Sequence, residues 1–142
     1  MMNKTRSAMH VLVIGVILAL PASALAVEGS PVGIWRTPEQ GGLVEVMTCG
    51  AGLCGRIVGG SPSAEQFDVH NKDAGLQKRP LKGLTLFNGL VGGPDGWKGP
   101  VYNPADGGTY DGTLSLVSAN EMKLKGCIVW PLCRSQVWAR VR

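Results

Sequence analysis

Histidine is almost missing from this chain. Of its two histidines, His10 lies in the N-terminal leader described below, so a Ser-His-Asp or Cys-His arrangement in the folded part would depend on His70 alone. A site built from several histidines is excluded. Neither a phosphate-cradling G-x-x-x-x-G-K-[ST] run nor a G-x-G-x-x-G opening a helix is present. The longest apolar run, Val11–Leu20, is about half the roughly 20 residues that a bilayer-spanning helix needs. Excess charge is also lacking: setting aside Lys4 and Arg6 in the leader, 12 of the 14 basic residues face 10 acidic ones, which argues against a nucleic-acid partner. The residue types call for no cofactor and no metal.

What the N-terminus does have is a basic start with Lys4 and Arg6, the Val11–Leu20 run, and Ala24-Leu25-Ala26, a small-x-small cleavage site. Residues 1–26 therefore read as a signal peptide. An uncleaved anchor would want a longer run, and the first cysteine, Cys49, is too distant for a lipoprotein. Residues 27–142 are then one domain without a transmembrane span, periplasmic or secreted, and large enough for a single core.

Glycine, 21 of 142 residues, is about twice as frequent as usual and suits tight turns and close strand packing. Two β-branched runs, Leu43–Thr48 and Leu53–Gly59, flank a glycine-rich loop with a cysteine at each end, the pattern of a pinned hairpin. Cys127 and Cys133 repeat the device around Ile128–Leu132. Four cysteines in an exported chain favour two disulfides. Of the three possible connectivities the local one, Cys49–Cys54 with Cys127–Cys133, fits cross-strand distances. A four-thiolate zinc site would want closer C-x2-C spacing and a reducing compartment.

Strand-like runs also cover Gly33–Thr37, Gly83–Leu90, Trp97–Tyr102, Thr109–Val117, Glu121–Cys127 and Arg134–Val141. In Gly83–Leu90, Leu84, Leu86 and Asn88 are expected on one face, with Thr85 and Phe87 on the other. Eight short strands joined mostly by tight turns imply an all-β fold, an eight-stranded antiparallel up-and-down barrel, with a two-sheet sandwich as the alternative. Ser61–Lys82 breaks the pattern. It is longer than ordinary connections, and Asn71 is placed to cap a short helix from Ala74 to Lys78, stopped by Pro80. Phe67, Leu76 and Leu81 are placed to tie it over a barrel end as a lid or partner loop.

Four residues are candidates for ligand binding: Arg79, Tyr102, Asp106 and Tyr110. Arg79 is expected to pair with Asp106 or to face an anionic ligand at the barrel mouth. In Asn103–Asp111 the aspartates would cap backbone donors or, less in keeping with the spacing, hold calcium. The apolar Ile128-Val129-Trp130-Pro131-Leu132 tip is expected to fold inward and plug the barrel; exposed, it would contact a membrane or partner.

Gly33-x-Trp35, the Cys49–Ile57 hairpin, Arg79-Pro80-Leu81-x-Gly83, Gly99-x-Val101-Tyr102-x-Pro104-x-Asp106-Gly107-x-x-Tyr110, and Gly126-Cys127 with Leu132-Cys133 and Trp138-x-Arg140 together resemble an exported bacterial family, domain of unknown function 2147. Pro100, in a strand, and Lys72, after an asparagine usually followed by proline, depart from its pattern. The resemblance implies a lipocalin-like barrel in the periplasm and no known activity. Gly33-x-Trp35 with a late arginine is also similar to the calycin pattern, which implies that Arg140 packs across Trp35 where the barrel closes.

Function is therefore expected to be non-catalytic. A small apolar or amphipathic ligand inside the barrel is the leading expectation, ahead of a filled barrel that contacts an envelope protein or the membrane surface, and a hydrolase ranks below both. Interior volume separates the first two.

Overall fold

The computed structural model describes residues 29–39, 41–60 and 67–142, so the expected signal peptide and residues 61–66 of the long loop lie outside the described residues. Eight strands follow one another: β1 (Gly33–Arg36), β2 (Leu43–Cys49), β3 (Gly52–Gly59), β4 (Thr85–Gly93), β5 (Gly96–Asn103), β6 (Gly108–Ser118), β7 (Glu121–Val129) and β8 (Leu132–Arg140). Each pairs antiparallel with the next, and β8 returns to β1 to close the barrel. This topology sorts the connections by end. The short turns at 50–51, 94–95 and 119–120, with the start of β1, form one end; the strand ends joined from β1 to β2, β3 to β4, β5 to β6 and β7 to β8 form the other, called the loop end below.

Period-2 alternation builds the walls. In β6, Gly112, Leu114 and Leu116 face inward while Asp111, Thr113 and Ser115 face out, and Met122 on β7 and Trp138 on β8 follow the same rule. A single apolar cluster runs from Trp35, Val44 and Val46 through Leu53, Phe87 and Leu90 to Trp97, Leu114, Met122 and Trp138. Small residues make room for large ones. A side-chain carbon on Gly55 would overlap the Phe87 ring, and one on Gly112 would overlap Val101, so the space before each inward glycine is already taken by a neighbouring strand.

β4 departs from simple alternation. Leu86 and Phe87 are both buried and Asn88 is exposed, rather than Leu86 and Asn88 sharing a face. The register against β3 shifts twice, between Leu53 and Cys54 and between Gly55 and Arg56, and each bulge re-aims the side chains beyond it. Gly89, at φ +81°, takes the left-handed turn inside one of them. The ladder from β4 to β5 ends at Lys98, two residues before Pro100, so a residue without an N–H is accommodated where the two strands have parted.

The two disulfides are Cys49–Cys54 and Cys127–Cys133, the local pairing. They sit at opposite ends of the barrel. The helix expected from Ala74 to Lys78 is a shorter 3-10 turn, Ala74–Leu76. Its cap is Asp73, whose carboxylate accepts from Gly75 N at 2.9 Å, and Asn71 instead accepts from Asp73 N at 2.8 Å. A side chain two residues ahead of a turn makes a local Asx bond more readily than it caps a full helix.

Candidate functional site

At the turn end, Arg140 lies across Trp35 with its guanidinium carbon 4.2 Å from the ring centroid. The indole is fully buried and donates to Pro31 O at 2.9 Å. Arg140 in turn donates to three backbone carbonyls: Ala119 (2.7 Å), Val32 (3.0 Å) and Ser30. One side chain thus joins the incoming chain, the β6–β7 turn and the β1–β8 seam, where only two residue pairs are in register. Its contacts are all internal, and the arrangement is a closure.

The ligand candidates are all at the loop end, in two clusters. The first is organised by Asp68, a residue the sequence reading did not single out. Its carboxylate is fully buried and accepts from Tyr102 OH (2.7 Å), Asn71 Nδ2 (2.8 Å) and Arg79, through both Nε and Nη2 at 2.8 Å. Asn71 also donates to Tyr102 OH at 3.0 Å. Arg79 therefore pairs with Asp68 and not with Asp106. The antiparallel bridge between Phe67 and Pro80, with Asp68 N donating to Arg79 O at 2.9 Å, sets the two side by side. Burial pushes the Asp68 pKa up, but the hydrogen bonds from Tyr102, Asn71 and Arg79 and the Arg79 charge outweigh it, and the net shift is downward. Burial and the Asp68 contact push Tyr102 up.

The second cluster surrounds Asp106. Tyr110 OH donates to it at 2.6 Å, Gly108 N at 2.8 Å and Asn103 Nδ2 at 3.1 Å. Burial raises its pKa, whereas these bonds and the Lys72 charge lower it, for a net decrease. The hydrogen bond to Asp106 raises Tyr110. Asp106 thus caps a turn, and Asp111, outward-facing on β6, is not brought to it. Among the described residues no group of three His, Cys, Asp or Glu side chains comes together as a metal site.

The clusters meet at Gly107. Its φ of +69° is left-handed, and a side chain there would strike the backbone oxygen of His70. Residues 68–71 of the long loop are thereby pressed against the β5–β6 loop and hydrogen-bonded to β5, beside the parting of β4 and β5. Of the three apolar side chains expected to tie the loop down, Phe67 and Leu76 are exposed and Leu81 is half-buried, so this polar network is what fixes residues 68–71. Buried polar groups need partners, and these have them.

The apolar tip was expected to plug the barrel and does not. Ile128, Val129, Trp130 and Leu132 are 73, 60, 75 and 64 % exposed. β7 and β8 stay paired to Val129 and Leu132, with Cys127 and Cys133 directly opposite and bonded, so the hairpin continues past the rim instead of folding over it. Trp130 stands over the Lys125 ammonium, 4.7 Å from the ring centroid. With Val129 it borders a groove of about 360 Å3 on the outer wall, lined also by Lys98, Asp111, Thr113 and Cys127.

Residues 33–140 match the sequence family described as "Uncharacterized protein conserved in bacteria (DUF2147)". The chain belongs to this family. No curated protein matches it. Among solved structures, this DUF2147 protein is similar to protein HP1028 from the human pathogen Helicobacter pylori, described as belonging to the lipocalin family: the TM-score is 0.72 at 21 % identity, over 81 % of this chain and 85 % of that one. At that identity the likeness bears on the fold, a lipocalin-like closed barrel.

Proposed function

We propose that this DUF2147 protein is an exported, non-catalytic barrel whose interior is filled and whose loop end makes contacts with other components of the cell envelope. The observation that carries this reading is the interlocking of inward glycines with large neighbours, Gly55 with Phe87 and Gly112 with Val101, inside one continuous apolar cluster. A lipocalin-like interior that held a ligand would leave those spaces vacant. Export is supported by the sequence of residues 1–26 and by four cysteines joined in two disulfides. Against catalysis, the perturbed groups Asp68 and Tyr102 are committed to each other within a closed network.

A second reading, a small amphipathic ligand at the mouth, is favoured by one observation. Toward the loop end the inward residues Ile57, Tyr110, Leu124 and Gln136 are only half-buried. The test is to purify the protein from the periplasm, record its native mass, and titrate it with an apolar fluorescent probe. The filled barrel predicts a mass equal to that of residues 27–142 with both disulfides formed, and no saturable probe binding. A co-purified small molecule, or one-to-one probe binding that quenches the buried tryptophans, overturns it.

A further inference from the structure

The Ile128–Leu132 tip carries the β7–β8 hairpin past the rim with its apolar side chains exposed, and its surroundings say what it fits. We propose that this tip docks the protein on a bilayer surface rich in anionic lipid, Trp130 entering the headgroup layer and the neighbouring cations meeting the lipid phosphates. The inference rests on the interaction-module reading and names the partner of its loop end.

Three features argue for lipid. The tip is a projecting two-residue turn whose four exposed apolar side chains include a tryptophan, the side chain that most favours the boundary between headgroups and acyl chains. Cations bracket the base of the hairpin. Lys125 is outward-facing beside Trp130, Lys98 borders the groove beneath it, and Arg134 sits across from Gly126; the one acidic group in the groove is Asp111. A long lysine side chain can lie along apolar surface and still present its charge to a phosphate. Finally, the tip is narrow. A stable protein interface takes roughly 800 Å2 from each partner over about 20 residues or more, which a four-residue projection does not offer, whereas a bilayer closes around whatever is inserted. The Cys127–Cys133 bond holds the two strands together at the base of the tip.

The remaining tryptophans, Trp35, Trp97 and Trp138, are buried, so Trp130 reports its own surroundings. The oxidised mature protein is mixed with vesicles of phosphatidylcholine alone and with vesicles in which phosphatidylglycerol replaces part of it. Co-sedimentation with the anionic vesicles, a blue shift of the tryptophan emission and protection from a soluble quencher are expected. Trp130→Ser should abolish all three without moving the melting temperature. Lys125→Gln and Arg134→Gln should each lower the partition coefficient roughly fivefold, and added salt should do the same. Failure to sediment with anionic vesicles, equal binding to both vesicle types, or binding that survives Trp130→Ser overturns the proposal. Cross-linking from position 130 to an envelope protein, with no vesicle binding, overturns the lipid proposal while leaving the interaction module standing. Saturable probe binding in the barrel removes the module reading whatever the vesicles show.

Discussion

Replacing Asp68 by alanine separates a structural network from a binding site. The carboxylate is fully buried and accepts from three side chains, so its removal strands the Tyr102 O–H and the Arg79 guanidinium and leaves the Asn71 amide only its bond to Tyr102. Removing one partner of a buried ion pair costs about 3–5 kcal/mol. The Arg79 side chain is 35 % exposed and can be rehydrated, which places the expectation near the lower bound, about 3 kcal/mol. For a domain of this size that is a fall of roughly 10–15 °C in melting temperature. Urea and thermal melts at neutral pH measure it. Because the folded-state pKa of Asp68 lies below its ordinary value, its stabilisation is fully present above the ordinary carboxylate pKa of about 4 and is lost as the pH falls through the lowered folded value. Tyr102, shifted up, contributes below its ordinary value of about 10 and loses that contribution as the pH rises through the raised one. Asp68→Ala should therefore flatten the acid limb of the stability profile relative to wild type. A variant within about 0.5 kcal/mol of wild type at neutral pH, the ordinary range of surface substitutions, with its acid limb unchanged, would refute the reasoning.

Other substitutions probe the remaining contacts. Trp35→Ala should cost about 3–5 kcal/mol in denaturant melts, because a fully buried indole is lost, and Arg140→Ala about 1–2 kcal/mol through the ring contact and three carbonyl bonds. Gly112→Ala should cost about 1–3 kcal/mol by overpacking against Val101. The double variant with Val101→Ala should cost less than the two single effects added together; strict additivity in equilibrium unfolding would mean that the two do not share a space. Arg79→Ala should lower the melting temperature in step with Asp68→Ala and not add to it, since both break one pair. An unaltered melt would return Arg79 to the list of ligand candidates.

The strands and disulfides were legible because their signals are local. Alternation in Thr109–Val117 and a cysteine on either side of a short turn need only a few neighbouring residues to be read. The partner of Arg79 was not legible. Asp68 precedes it by eleven residues in a stretch without periodicity, and Tyr102 follows Asp68 by 34. Only the antiparallel bridge at Phe67 and Pro80 and the fold of the barrel bring the three together. The β4 bulges were hidden for a related reason: the extra residue at Gly89 changes which side chains turn inward, and composition carries only the glycine as a trace of it. For the tip, an apolar run reads the same whether it is folded in or left out. The distinguishing signal was the adjoining charge of Lys125, an outward-facing group whose contact with the Trp130 ring an inward fold would give up.

Where side chains are fixed by packing, their chemistry needs no further explanation. Phe87 fills the space before Gly55, Val101 the space before Gly112, and Asp68 the space among three donors; change in any of them is resisted by stability alone. No such reason applies to Ile128, Val129, Trp130 and Leu132. Each is more than half exposed, so a polar replacement would cost the fold little, and it would remove an apolar projection that lowers solubility. The folded barrel does not require these four residues to be apolar. What does require it must lie outside the molecule, and the lysine beneath the tryptophan gives that outside a sign.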